Sequence, residues 1–358
     1  WIRQRHIHIH KRSNIMVDNI IEEIKKGLNG DKYHDVKYLQ HQADVYKNHE
    51  NAGEILRILS EMTFDLVPEE QKEILRKTMF IKGMRLDEAF SKANDFVKEK
   101  KIEKAAELLG EIEKHADEYF SDTDEKLLLS LRNPLDEYIY MQIFKPEKKH
   151  DRTPFDFSHY LSAYGYLLVE MRQYDEAEKV LKKAIKYNPV NVEPRFELAE
   201  TYKVQMSPDK LIECIKETLK IARTPYEIAR CYCDLGYYCV EIKDYDSAVC
   251  FYYESLIYAP NDAITGELHH IMSITKKKIV PPLREEVLAA FKKYDVVNGP
   301  NPEVYNVAYS LAQYCIDKNA GPEEILYYLR ITYDLTHNPE VKELLDKYEE
   351  MAKDLKNE

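Results

Sequence analysis

Apolar and small residues recur at one spacing in three successive stretches of the chain. The stretches begin at residues 158, 192 and 229, so that successive starts lie 34 and 37 residues apart. The first and third stretches share their pattern most closely: Leu161, Gly165, Ala177, Leu181 and Pro189 correspond to Tyr232, Gly236, Ala248, Tyr252 and Pro260. A fixed period near 34 residues is typical of helical hairpins stacked into an array.

Each stretch predicts two antiparallel helices joined by a short polar turn. Gly165, Ala199 and Gly236 fall in the first helices, where a larger side chain would push the second helix away. Ala177 and Ala248 are expected to face the two glycines from the second helices. Glycine inside a helix costs ~1 kcal/mol relative to alanine, so its use at two equivalent positions indicates close helix packing.

This pattern resembles the tetratricopeptide repeat. The resemblance is clear over residues 158–262 and is strongest in 158–191 and 229–262, whereas the middle unit lacks the small residue of the second helix and the closing proline. It implies a superhelix whose first helices line a concave groove that holds a protein or peptide. We therefore expect a non-enzymatic scaffold or adaptor.

The remainder of the chain repeats the pattern more faintly. We expect a divergent helical-repeat region at 16–145, and divergent repeats followed by a capping helix at 263–358. Asn133 and Pro134 are a typical cap and first residue of a helix, the charged segment 145–154 is expected to be a loop, and no segment carries a strand signal. The predicted fold is all-α, an α-solenoid of antiparallel helix hairpins.

Residues 1–15 do not fit this pattern. They contain three alternating histidines and four basic residues but no apolar block. Alternating imidazoles can hold a transition metal, but nothing else in the tract supplies a fold. We expect a disordered upstream extension or a misassigned start, and no native metal site.

Composition excludes several classes of function. The formal net charge is −12, and the basic residues of the first fifteen make the rest more negative still. A nucleic-acid surface needs clustered Lys and Arg, so nucleic acid is not an expected partner. No apolar run approaches the ~18 residues of a membrane span. Five of the six cysteines lie on the predicted repeat helices, which suits free thiols in the cytoplasm.

Catalytic and cofactor motifs are absent from the sequence. There is no glycine-rich phosphate loop, paired-cysteine zinc spacing or nucleophile elbow. Glu267 and His270 form one Glu-x-x-His pair, but a di-iron bundle needs two such pairs and two further glutamates. We expect no cofactor, no metal and no enzymatic activity.

The resemblance places the groove on the exposed side of the first helices. The residues expected to bind a peptide there are Tyr166, Glu170, Phe196, Glu200, Arg230, Tyr237 and Glu241. Aromatic side chains interleaved with carboxylates suit a partner segment with basic and apolar residues. Co-chaperone members of the family clamp a terminal carboxylate with Lys, Asn and Arg, but only Arg230 fits such a clamp here.

Two alternatives remain beside the scaffold. A bacterial peptide-sensing regulator that acts on a signalling protein also joins an amino-terminal helical region to such repeats. An enzyme with a helical-repeat appendage is the third, although no stretch is left to house a catalytic domain. The sequence identifies neither the partner nor the oligomeric state.

Overall fold

The structure is a computed structural model that describes residues 17–47, 49 and 51–357. The chain divides into two compact units, Trp1–Arg85 and Leu86–Glu358. The described residues form eighteen helices and four short strands. This confirms the predicted all-α solenoid of helix hairpins. The predicted extension at 1–15, with its three histidines, lies outside the described residues.

The first unit packs three helices around a small apolar core. Its elements are α1 (17–26), α2 (Lys32–Tyr46), α3 (Ala52–Leu66), α4 (Glu69–Met79), β1 (Phe80–Ile81) and β2 (Met84–Arg85). The core side chains are Val17, Ile21, Ile24, Leu39, Ile55 and Leu59. The buried Asp35 carboxylate accepts hydrogen bonds from the N–H groups of Asn29 and Gly30, each at 2.9 Å. These bonds fix the turn between α1 and α2.

The second unit contains the array. It starts with α5 (Leu86–Lys98), α6 (Ile102–Tyr119), β3 (Lys126–Leu129), α7 (Pro134–Phe144) and β4 (Lys149–Arg152). The three repeats follow as α8 (Phe157–Glu170), α9 (Tyr174–Tyr187), α10 (Glu193–Val204), α11 (Pro208–Leu219), α12 (Pro225–Glu241) and α13 (Tyr245–Tyr258). The last helices are α14 (Ala263–Thr275), α15 (Arg284–Lys293), α16 (Pro302–Asp317), α17 (Pro322–Thr336) and α18 (Pro339–Asn357).

The two repeat glycines lie where the helices of a hairpin approach closely. A Cβ atom added to Gly165 would lie 2.4 Å from Cδ2 of Leu181, and one added to Gly236 would lie 2.5 Å from Cε1 of Tyr252. Close packing at the glycines is as predicted. The facing residues differ from the expected Ala177 and Ala248, because the contact falls one turn further along each second helix.

Four short strands correct the expectation that the chain has none. β1 and β2 form an antiparallel pair, and β3 and β4 form a parallel pair with Lys126 opposite Lys149 and Leu129 opposite Arg152. The segment 145–154, predicted to be a loop, therefore contains β4. A run as short as Lys126–Leu129 does not distinguish strand from helix by its apolar pattern, and its partner strand is charged.

Contacts between distant parts of the chain brace the array. Arg223, just before α12, donates from Nη1 to Asp136 Oδ1 of α7 at 2.9 Å and from Nη2 to the Val190 carbonyl at 2.7 Å. Asn188 Nδ2 donates to Asp136 Oδ2 at 3.3 Å. In addition, α7 packs against α16. The helix that precedes the first repeat thus contacts both the third repeat and a helix beyond it.

The remaining features concern the end of the array and the thiols. The predicted capping helix is α18, which packs against α17. All six cysteines are unpaired, and five of them are buried. Within the described ranges, no helix has the length and apolar character needed to cross a membrane.

Candidate binding channel

The first helices of the three repeats contribute side chains to one cavity of about 430 Å³. We call the surface formed by α8, α10 and α12 the channel. The cavity lining comprises His159, Ser162, Ala163 and Tyr166 near one end of the channel, Val192, Glu193, Phe196 and Glu197 in the middle, and Tyr226, Glu227 and Arg230 at the other end. Three of the seven predicted binding residues are therefore brought together here, namely Tyr166, Phe196 and Arg230.

The start of α12 sets the position of its cavity residues. Thr224 caps the helix by accepting from the Glu227 N–H at 3.2 Å, while the Glu227 carboxylate accepts from the Thr224 N–H at 3.3 Å. Pro225 occupies the first turn, where its missing N–H leaves no hydrogen bond unmade. This reciprocal cap fixes Tyr226, Glu227 and Arg230 at the mouth of the cavity.

Arg230 covers the aromatic floor of the cavity. Its guanidinium carbon lies 4.3 Å from the centre of the Phe196 ring, and its Nη2 lies 3.6 Å from Glu200 Oε1. Phe196 is only 6% exposed. Arg230 therefore already pairs with a carboxylate and an aromatic ring within the protein. It is not an unpaired cation available to a terminal carboxylate of a peptide.

The charges further along the channel also pair internally. Lys203 Nζ lies 2.8 Å from Glu200 Oε1 and 2.5 Å from Asp234 Oδ1. The same amine lies 5.3 Å from the centre of the Tyr237 ring, which is within the usual range of a cation–π contact. Glu200 and Tyr237, both predicted to bind a peptide, are thus joined by a lysine that bridges two repeats.

The other predicted residues are exposed. Tyr166 has 46% of its surface exposed and lies at the cavity. Glu170 and Glu241 end α8 and α12, and both are exposed. The structure thus separates the predicted set into a cavity group, a charge-paired group and two exposed carboxylates.

Eight of the eleven cavity residues were absent from the predicted set, among them Tyr226 and Glu197. Tyr226 is 65% exposed, and Glu197 is half-buried, with a pKa raised mainly by its burial. Tyr226 lies in the first turn of its helix, three positions before residue 229, where the third stretch of the repeat pattern begins. Glu197 adjoins Phe196 in the degenerate middle unit, where the register of the channel is hardest to assign.

The Glu-x-x-His pair lies apart from this cavity. Tyr252 donates a hydrogen bond to Glu267 Oε2 at 3.3 Å, so Glu267 pairs with a buried tyrosine of α13. No group of three His, Cys, Asp or Glu side chains suited to a metal ion occurs in the described part of the chain.

Comparisons with known proteins were made by sequence family and by structure. Residues 158–191 match the sequence model of the tetratricopeptide repeat. A chain of the APC/C hetero-tetramer Cut9-Hcn1 shows 13% sequence identity and a TM-score of 0.24, with 88% of this chain covered. The chain spans 62% of the length of that chain. No curated protein matches the sequence.

The family match coincides with the hairpin of α8 and α9. Its residues include Gly165 and Leu181, whose close approach holds the two helices together. Stacked helical repeats form extended surfaces that bind other proteins, and the all-α array built around this hairpin has that architecture. Residues 158–191 of this chain are thus identified as a tetratricopeptide repeat.

Proposed function

We propose that the chain is a scaffold or adaptor that binds a segment of another protein in the channel. The observation that carries this proposal is the cavity where α8, α10 and α12 meet, with the exposed rings of Tyr166 and Tyr226 beside it. Exposed tyrosines provide contact area at low conformational cost. A cavity shared by three helices can hold one partner segment at several points.

The proposed partner segment carries basic and apolar residues. Tyr166, Phe196 and Tyr237 would provide aromatic contacts, with Phe196 as the floor of the cavity. Carboxylates outnumber cations along the channel. The cations are Lys203 and Arg230, and the carboxylates are Glu170, Glu193, Glu197, Glu200, Glu227, Asp234 and Glu241. An acidic channel raises the association rate of a basic segment, and high salt reduces this effect.

The proposal does not require catalysis or a cofactor. The six unpaired cysteines support a reducing compartment such as the cytoplasm, because disulfides persist mainly in oxidising compartments.

The test uses a phage-displayed library of random twelve-residue peptides selected against the whole chain. The peptides that bind most tightly are then measured against the double variant Tyr166→Ala with Tyr226→Ala. We expect their affinity to fall ~10-fold or more, the size of loss seen when aromatic hot spots are truncated. Both tyrosines are exposed, so the change should leave the fold intact.

Tyr314→Ala provides the matched control. Tyr314 lies on α16, outside the channel, and is 59% exposed, so its truncation removes a similar ring from another surface. The control should bind the selected peptides as the unmodified chain does. Equal binding by the channel double variant would refute the proposal.

A further inference from the structure

The carboxylates of the cavity differ in whether the protein itself compensates them. Glu193 Oε2 lies 3.6 Å from Nδ1 of His159. Glu227 accepts hydrogen bonds from the backbone N–H groups of Arg223 at 2.6 Å and Thr224 at 3.3 Å. Both carboxylates therefore have partners.

Glu197 has no such partner. Within the described part of the chain, its carboxylate takes part in no ion pair and no side-chain hydrogen bond. Arg230, the cation that most favours its charged form, is held by Glu200 and the Phe196 ring. Glu197 is thus a half-buried carboxylate that faces the cavity without an ion pair of its own.

We propose that Glu197 receives the charged end of one Lys or Arg side chain of the bound segment. This inference rests on the proposed function, because it assigns the residue that the channel selects. Lys and Arg cover apolar surface with their aliphatic stems while the charged head stays at a polar site. The cavity offers the rings of Tyr166, Phe196 and Tyr226 as apolar surface for the stem, and the Glu197 carboxylate as the polar site for the charged head.

The size of the cavity fits a single side chain with its neighbours. Its volume of about 430 Å³ lies within the roughly 300–1,000 Å³ typical of small-ligand pockets. One incoming cation would balance one carboxylate. Because a buried charge without a partner is costly, an incoming residue with no charge would leave Glu197 without an ion pair.

The proposal makes binding depend on pH. Burial raises the pKa of Glu197, and the charges of Glu200, Glu170 and Glu193 raise it further, against Arg230. Glu193 raises the pKa of His159 at the same cavity. As the pH falls through these raised pKa values, Glu197 loses its charge and His159 gains one. Both changes oppose a bound cation, so affinity is greatest above the two pKa values and falls below them.

The charged groups that face Glu197 come from all three channel helices. They are His159 and Glu170 on α8, Glu193 and Glu200 on α10, and Glu227 and Arg230 on α12. Arg230 stays protonated throughout, so its charge does not contribute to the pH dependence. Any loss of affinity that the Glu197→Gln variant still shows as the pH falls comes from the other groups. The difference between the variant and the unmodified chain is the part due to Glu197.

The experiment combines a protein variant with a peptide variant. Peptides selected from the twelve-residue library should contain a Lys or Arg, and replacing it with norleucine or citrulline should weaken binding ~10-fold or more. Glu197→Gln should weaken the unmodified peptide to a similar degree and make the peptide substitution nearly silent. Glu213→Gln is the control: Glu213 lies on α11, the second helix of the same repeat, with its side chain 70% exposed, and its neutralisation should leave affinity unchanged.

The outcomes separate this inference from the proposed function. In one outcome, the channel tyrosine variant loses binding, but a peptide with norleucine in place of its Lys or Arg still binds the unmodified chain. In another, affinity falls as much in Glu213→Gln as in Glu197→Gln. The channel then binds the segment, and the assignment of Glu197 is wrong. Selected peptides that bind the tyrosine variant normally, or a library that yields no binder, would overturn the proposed function and this inference with it.

A peptide-free measurement gives an independent check. Since the Glu197 carboxylate has no ion pair of its own in the free protein, Glu197→Gln should melt at the same temperature as the unmodified chain or higher. A clear decrease in the melting temperature would mean that the carboxylate has a stabilising partner within the protein, which contradicts the proposal.

Discussion

The Gly236→Ala substitution tests whether the hairpin packing described above is as close as the structure indicates. The added methyl carbon would lie 2.5 Å from Cε1 and 2.6 Å from Cδ1 of Tyr252. The Tyr252 side chain is 1% exposed, and its hydroxyl donates to Glu267 at 3.3 Å. Because the ring is enclosed in a close-packed interior, it cannot turn into solvent. Either the ring or one of the two helices must move.

Two opposing terms set the expected magnitude. Replacing glycine with alanine in a helix gains ~1 kcal/mol from backbone propensity, whereas forcing an extra carbon into a packed core costs ~1–3 kcal/mol. The contact at Gly236 is with a rigid ring, which favours the upper part of that range. We therefore expect a net loss of ~1–2 kcal/mol in the free energy of unfolding.

Gly266→Ala isolates the propensity term. Gly266 is an exposed residue of α14, and nothing lies within 4 Å of a Cβ atom added there. This variant should gain up to ~1 kcal/mol, so the two variants should differ by ~2–3 kcal/mol. Urea unfolding followed by circular dichroism at 222 nm measures the difference. If both variants were equally stable, Tyr252 would be free to move and the inferred close packing would be wrong.

Three further measurements address other features. Asp136→Ala should cost ~3–5 kcal/mol in the free energy of unfolding, because it removes the carboxylate that pairs with the largely enclosed Arg223, whose side chain is 16% exposed. Combining Asp136→Leu with Arg223→Met should restore most of that loss in urea unfolding, and equal stability of the single and double variants would contradict this. Thr224→Ala removes the α12 cap and should lower the free energy of unfolding by ~0.5–2 kcal/mol. Unchanged stability in urea unfolding would mean that the cap does not stabilise the helix. Burial raises the pKa of Cys214 to about 11, so alkylation of this thiol at pH 8 should be slow in the native chain and fast in urea, and rapid native alkylation would contradict its burial.

Local sequence signals predicted the helices well where capping or packing is encoded by single residues. The Asn133 side chain accepts from the Asp136 N–H at 2.8 Å, and Pro134 begins α7, as the dipeptide predicted. The strands could not be predicted in the same way. Leu127 and Leu128 pair with His150 and Asp151, and neither the parallel register nor a charged partner strand is visible in a local pattern.

The channel was predicted in outline from the resemblance to the tetratricopeptide repeat, which implies a groove on the first helices, together with the helical spacing that determines which residues share a face. Tyr166, Phe196 and Arg230 were placed together on that basis. The compensation of charge was not predictable, since it depends on side chains from neighbouring repeats. Glu200 was expected to select basic residues, yet Lys203 and Arg230 already pair with it. Among the carboxylates that line the cavity, Glu197 is the one without a partner in the described part of the chain.

The contact between α7 and α16 changes how the array should lose its structure. In a solenoid whose units contact only their neighbours, the terminal units open first and protection declines towards each end. Here α7 packs against α16, and Asn301 Nδ2 donates to the Lys220 carbonyl at 2.6 Å. The three repeats lie between these joined elements and have no open end of their own. We therefore expect their backbone amides to exchange hydrogen at similar rates, as a single cooperative unit.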